Sequence, residues 1–148
     1  MSRLKLVRQI AARPETVFEA ITTEEGLVHW FGPDAGPVLI AEINLRVGGS
    51  FRVRFRMLDG SEHECSGKIV ALEPPTRLAT TWQWLGSESM GHSRVEYLLR
   101  ATAQGTELTF THMQLPDEAA ARDHERGWNG ALDKLERYMN GVRKRGES

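Results

Sequence analysis

Few side chains in this sequence are equipped to hold a metal or move a proton. His63 and Cys65 stand two residues apart in an alternating stretch, so on a strand they point the same way, and His112 lies in a second such stretch. Imidazole and thiolate suit zinc, but this spacing is common and undiagnostic, so no metal is assigned. His63-Glu64 and His124-Glu125 each lack a second histidine four residues on, which excludes the zinc-protease motif. No Gly-rich phosphate loop or nucleophile elbow is present. Glu62, Glu64, Glu96 and Glu107 fall on the outward parity of their stretches, which leaves no paired carboxylates inside. An acid–base enzyme would have to use His63, His112 or Tyr97. No catalytic residue and no cofactor is assigned.

The inward positions carry ring surface instead. Phe51, Val53, Phe55 and Met57 share one face, against Arg52, Arg54 and Arg56 on the other. Leu78, Thr80, Trp82 and Trp84 share a second face, Val95, Tyr97 and Leu99 a third, and Leu108, Phe110 and His112 a fourth. Trp30, Phe31 and Trp128 join from helical segments. Buried indole N–H and phenol O–H groups need partners, and an apolar cavity with a few polar tips is the usual form of a small-molecule site. The candidate ligand-binding set is therefore Trp30, Phe31, Phe51, Phe55, His63, Cys65, Trp82, Trp84, Tyr97, Phe110, His112 and Trp128.

The elements that position these residues follow from periodicity. Leu4 to Ala12 reads as a first strand that stops at Arg13-Pro14, and Pro14 suits the first position of a helix bearing Val17, Phe18 and Ile21. Thr23 is the expected N-cap of a second short helix, with Glu24 and Glu25 in its first turn and Gly32-Pro33 at its end. From Val38 to Leu115 the period is two. Turn residues recur at Gly48-Gly49, Asp59-Gly60, Pro74-Pro75, Gly86, Gly91 and Gln104-Gly105, which predicts six antiparallel strands. Asp117 then caps a long helix with Ala121, His124, Trp128, Leu132, Leu135 and Met139 at helical spacing and Gly141 as its stop. Gly127 and Gly130 inside it each cost about 1 kcal/mol relative to alanine, so they mark either close packing or room beside a ligand.

Matching the inward faces across hairpins predicts registers. A two-residue turn at Gln104-Gly105 sets Leu99 beside Phe110 and Tyr97 beside His112. A three-residue loop, Asp59-Gly60-Ser61, pairs Phe55 with Cys65 and Arg56 with Glu64, with Gly60 supplying a left-handed residue.

Composition narrows the partners. A formal net charge of -1, from 19 basic and 20 acidic residues, argues against nucleic acid, which needs a concentrated basic surface. The run Arg143, Lys144, Arg145 reads as a solvated helix end. A single cysteine precludes an internal disulfide, and no stretch has the length of a membrane span or a signal peptide, so a cytoplasmic protein is expected. The 148 residues suit one α+β domain, residues 1–148, frayed after about 142.

The order strand, two short helices, six strands and a long C-terminal helix resembles the helix-grip arrangement of the SRPBCC, or START-like, superfamily. Within it the chain resembles the branch named after the activator of the Hsp90 ATPase. The phrases that carry the resemblance are Pro14-Glu15-Thr16-Val17-Phe18, Trp30-Phe31-Gly32-Pro33, Arg46-Val47-Gly48-Gly49-Ser50-Phe51, Gly67-Lys68-Ile69-Val70, and Pro74-Pro75-Thr76-Arg77-Leu78 leading to Thr81-Trp82. Gly105-Thr106-Glu107-Leu108 leading to Thr111-His112, and Gly127-Trp128, complete a set that spans nearly the whole chain in the family's order. The resemblance implies a cavity between sheet and final helix that holds lipids, polyketides or other apolar molecules, with a minority of cyclases and hydrolases. The branch has no agreed catalytic residues to carry over. Its name comes from a co-chaperone with an additional N-terminal domain, absent here, so a chaperone partner is not expected.

Binding of a small hydrophobic or aromatic ligand is the expected function. A polyketide-cyclase-like or hydrolase-like enzyme using Tyr97 and His112 is the alternative, and a chaperone-regulating module a further one. A weak homodimer is expected through an apolar patch at Trp30-Phe31-Gly32-Pro33 and Leu85 to Gly91.

Overall fold

The alternating segments pair into one antiparallel sheet, and the first strand joins it from the far end of the chain. The computed structural model describes residues 1–87 and 92–144, with side chains to Val142. Its elements are β1 (Ser2–Ile10), α1 (Pro14–Thr22), α2 (Glu24–Trp30), β2 (Val38–Ile43), β3 (Ser50–Arg56), β4 (Glu62–Glu73), β5 (Arg77–Trp84), β6 (Ser93–Thr102), β7 (Gly105–Leu115) and α3 (Glu118–Lys144). The strand order is β1-β7-β6-β5-β4-β3-β2. The two short helices thus link the two edges of a seven-stranded sheet, and α3 packs across its inner face. This is the α+β helix-grip arrangement. No helix among the described residues is long and apolar enough to cross a membrane.

Local signals fix the ends of the helices. Pro14 opens α1, where its missing N–H costs nothing. The Thr23 hydroxyl accepts the Gly26 N–H at 3.0 Å, and Asp117 Oδ1 accepts the Ala120 N–H at 2.8 Å, so both expected caps form. Along α3 the residues Ala121, Trp128, Ala131, Leu132, Leu135, Met139 and Val142 are buried and fall on one face of the helix. Gly141 does not end the helix. Val142 beyond it is only 6% exposed, and its packing carries the helix on to Lys144.

Both predicted hairpin registers are two residues out, although every face keeps its assignment. In the β3–β4 hairpin the loop is Leu58-Asp59-Gly60, closed by Met57 N–H to Ser61 O at 2.8 Å. Phe55 therefore stands opposite His63 rather than Cys65, and Arg56 opposite Glu62 rather than Glu64. The Asp59 carboxylate accepts the Ser61 N–H and hydroxyl, which holds Ser61 in the closing pair instead of the loop. Gly60 takes the expected left-handed conformation, φ +90°. In the β6–β7 hairpin the turn is Ala103-Gln104, with Thr102 opposite Gly105. Leu99 then faces Leu108, Tyr97 faces Phe110, and His112 faces Val95, so Tyr97 and His112 are not cross-strand neighbours. Gly105 serves the neighbouring strand: a Cβ there would sit 2.3 Å from the Ile10 carbonyl oxygen.

The surface patch expected at Trp30-Phe31 does not form. Trp30 is 0% and Phe31 5% exposed, because Trp30 Nε1 donates to the Ala20 carbonyl at 2.8 Å and clamps α2 onto α1. Gly91, the far part of the Leu85 to Gly91 stretch, and Arg145 lie outside the described residues, as do the side chains of Arg143 and Lys144. One inward position escaped the sequence reading. Arg8 sits on the parity of Leu4 and Ile10, and it bonds to Asn129, Asp133 and Glu136 on α3, joining the edge strand to the helix.

Candidate functional site

Between residues 123–131 of α3 and strands β3 to β5 the inner face stays open as a groove of about 790 Å³, roofed by Phe31-Gly32-Pro33. Alternation brings Phe55, Trp82 and Trp84 to its floor and His63 to its rim, and the helical repeat brings Trp128 to its wall. Trp82 is central. Its ring centroid lies 5.2 Å from Trp128, 5.4 Å from Trp84 and 6.0 Å from Phe31. Six of the twelve candidates thus line the groove: Phe31, Phe55, His63, Trp82, Trp84 and Trp128. The other six, Trp30, Phe51, Cys65, Tyr97, Phe110 and His112, lie in the buried packing beside or behind it.

Hydrogen bonds fix the protonation of two histidines in or beside the site. Trp84 Nε1 donates to His124 Nε2 at 3.1 Å, and His124 Nδ1 lies 2.8 Å from the Ala120 carbonyl, to which it donates. Trp128 Nε1 donates to His112 Nδ1 at 3.1 Å, which leaves His112 Nε2 to donate to Ser93 Oγ at 2.7 Å. Each ring therefore accepts through one nitrogen and donates through the other, as only a neutral imidazole can. Burial, with His124 adding a smaller repulsion, pushes the His112 pKa down to about 3. Burial raises the Tyr97 phenol, with Cys65 adding to it, and raises the Cys65 thiol well above its ordinary range. Tyr97 and His112, buried and not paired with each other, form no acid–base couple at neutral pH. His63 is exposed at the groove rim while Cys65 is sealed, and His112 has both ring nitrogens engaged. Among the described residues no group of three potential ligands stands together for a metal.

The charged residues at the rim neutralise one another. Arg54 meets Glu62 at 3.0 Å and Glu64 at 3.6 Å, and Arg126 pairs with Asp123. Three residues outside the twelve candidates shape the groove; of these Leu85 is expected from the sequence in an apolar surface patch, and the other two are not assigned to the site. Leu85, 61% exposed, lies at the mouth. His124 holds Trp84, and its place in the apolar helical repeat was the signal that could have found it. Lys134 donates to the Phe31 and Asp34 carbonyls at 2.9 and 2.6 Å, fastening the roof. Burial lowers its pKa against the opposing pull of Asp34, and nothing in its spacing announces the role.

The two interior glycines of α3 separate here. A Cβ on Gly130 would lie 2.0 Å from the Pro33 carbonyl oxygen, so this glycine lets helix and roof touch. A Cβ on Gly127 would make an ordinary 3.6 Å contact with Pro33, and this residue lines the groove.

Known proteins supply the context. A family model described as Activator of Hsp90 ATPase homolog 1-like protein matches residues 11–140. Among solved structures, one from Chromobacterium violaceum superposes with a TM-score of 0.83 at 24% identity, covering 93% of this chain and 97% of that one. A structure of an AHSA1 protein from Silicibacter pomeroyi gives 0.82 at 25% identity, over 94% and 98% of the two chains. The solution structure of an AHSA1-like protein from Aeromonas hydrophila gives 0.81 at 21%, over 99% and 96%. No curated protein matches the chain.

Proposed function

The chain belongs to the family of Activator of Hsp90 ATPase homolog 1-like proteins, and on that premise we propose that its groove binds a small hydrophobic molecule, predominantly aromatic, without covalent chemistry. The observation that carries this reading is the lining. Five rings, those of Phe31, Phe55, Trp82, Trp84 and Trp128, meet around one groove of about 790 Å³, a size suited to a drug-sized molecule. Aliphatic contributions are few, so flat ring systems suit it better than an acyl chain. The paired rim charges favour a neutral ligand over an ionic one.

Three of the four tryptophans face the groove, so intrinsic fluorescence is a direct reporter. Titration with neutral naphthalene and biphenyl derivatives is expected to give saturable changes in emission at micromolar concentrations. Emission unmoved by every compound at high micromolar levels would exclude the reading.

A further inference from the structure

Among the described residues, every buried side-chain N or O atom has a protein partner except one. Trp30, Trp84 and Trp128 each spend their indole N–H on a carbonyl or an imidazole. Among the described residues Trp82 Nε1 alone is a buried side-chain N or O atom with no partner. Trp82 is 4% exposed and its ring lines the groove. An unsatisfied buried donor costs about 1–3 kcal/mol, and this one belongs to a ring that lines the groove. The neighbouring histidines cannot relieve it, because Trp84 and Trp128 already occupy their acceptor nitrogens.

We infer that Trp82 Nε1–H is the polar recognition point of the groove and that the ligand is a planar aromatic molecule carrying a neutral acceptor oxygen, such as an aryl ketone. This rests on the reading of the groove as a binding site. A neutral acceptor suits the groove because, among its described lining residues, Arg54 and Arg126 each already meet a carboxylate. It must accept because an indole N–H can only donate, and the two neighbouring imidazoles already spend their lone pairs on Trp84 and Trp128. The ring that gives way to admit it is Trp84, which is half-buried, lies edge-on to Trp82 at 5.4 Å and is tied to α3 by a hydrogen bond to His124.

The test compares two molecules of nearly equal shape, 1-acetylnaphthalene and 1-ethylnaphthalene, by fluorescence titration and calorimetry, with 1-naphthoate as the charged probe. The ketone is expected to bind roughly tenfold tighter than the hydrocarbon, as one recovered hydrogen bond allows. Naphthoate should bind more weakly than the ketone. Trp82→Phe should bring ketone and hydrocarbon to equal affinity while both still bind. Equal affinities in the unaltered protein overturn this inference alone and leave the N–H to the π-face of a neighbouring ring. A ketone preference that survives Trp82→Phe removes Trp82 as the donor, and tighter naphthoate binding removes the neutral acceptor. If none of the three binds, the groove reading falls and this inference with it. The unaltered protein decides the matter even should the variant fail to fold.

Discussion

Two tryptophan–histidine hydrogen bonds cross between α3 and the sheet, in opposite directions, and their surroundings differ. In the sealed region Trp128 of α3 donates to His112 of β7, with Trp128 5% and His112 0% exposed and Phe110 packed 4.3 Å from the indole. At the groove Trp84 of β5 donates to His124 of α3, and both are half-buried beside the open mouth. The bonds are 3.1 Å long in each case. Burial alone decides what each one does. A bond whose loss strands a buried donor locks the helix to the sheet, whereas one whose donor can turn to water costs little to break. One region is sealed packing, and the other borders an open groove.

The largest difference between the regions should come from truncation. Phe110→Ala in the sealed region is expected to cost about 3–5 kcal/mol in urea denaturation, because a fully buried ring leaves a cavity. Trp84→Ala at the groove should cost about 1 kcal/mol, nearer the general mutational mean. Equal losses would erase the distinction.

Acid should act through His112. Its folded pKa of about 3 lies below the ordinary 6.5, so the unfolded chain takes up a proton that the folded chain refuses. The contribution is complete above about pH 6.5 and is lost as pH falls toward about 3, at a rate approaching 1.4 kcal/mol per unit. Urea midpoints measured across that window should decline, and His112→Asn should flatten the decline. An unchanged slope in the variant would place the sensitivity elsewhere.

The glycines of α3 sharpen the comparison at smaller scale. Gly130→Ala drives a methyl into the Pro33 carbonyl and should destabilise by about 1–3 kcal/mol. Gly127→Ala meets only an ordinary contact and should be neutral or stabilising by up to about 1 kcal/mol from helix propensity, while weakening ligand binding by narrowing the groove. Thermal melts read the first effect and fluorescence titration the second.

A similarly small effect on stability should appear at His124. His124→Ala should change the unfolding free energy by less than about 1 kcal/mol, because the freed Trp84 N–H can reach water. The same change should shift tryptophan emission to the red and loosen the mouth. An unfolding cost as large as that of His112→Asn would show the two hydrogen bonds to be equivalent.

Much of this was legible in the alternation of β3 to β7 and in the spacing along α3. Both hairpin registers were out by two residues, yet Phe55, Trp82, Tyr97 and Phe110 kept their faces, since a slip of two preserves parity. What did not show was depth. His63 and Cys65 share one face of β4, but one is exposed at a rim and the other is sealed. Phe31 and Trp30 are adjacent on one apolar side, but only Phe31 reaches the groove. Arg8 was hidden because an arginine on inward parity looks like an error in the pattern until its three partners on α3 are in view.

The sequence by itself determined which faces turn inward, where the helices begin and how the elements follow one another, because alternation, helical spacing and capping act within a few residues. The tertiary structure alone decided which inward residues meet a groove and which meet the core. That depends on where α3 touches the sheet, and the contacts that place it join residues about a hundred apart: Gly130 against Pro33, Lys134 on the Phe31 carbonyl, Arg8 on Glu136. No local pattern encodes a distance set by packing across the whole fold, so the groove, the sealed histidine and the lone tryptophan N–H emerge only when the helix is laid on the sheet.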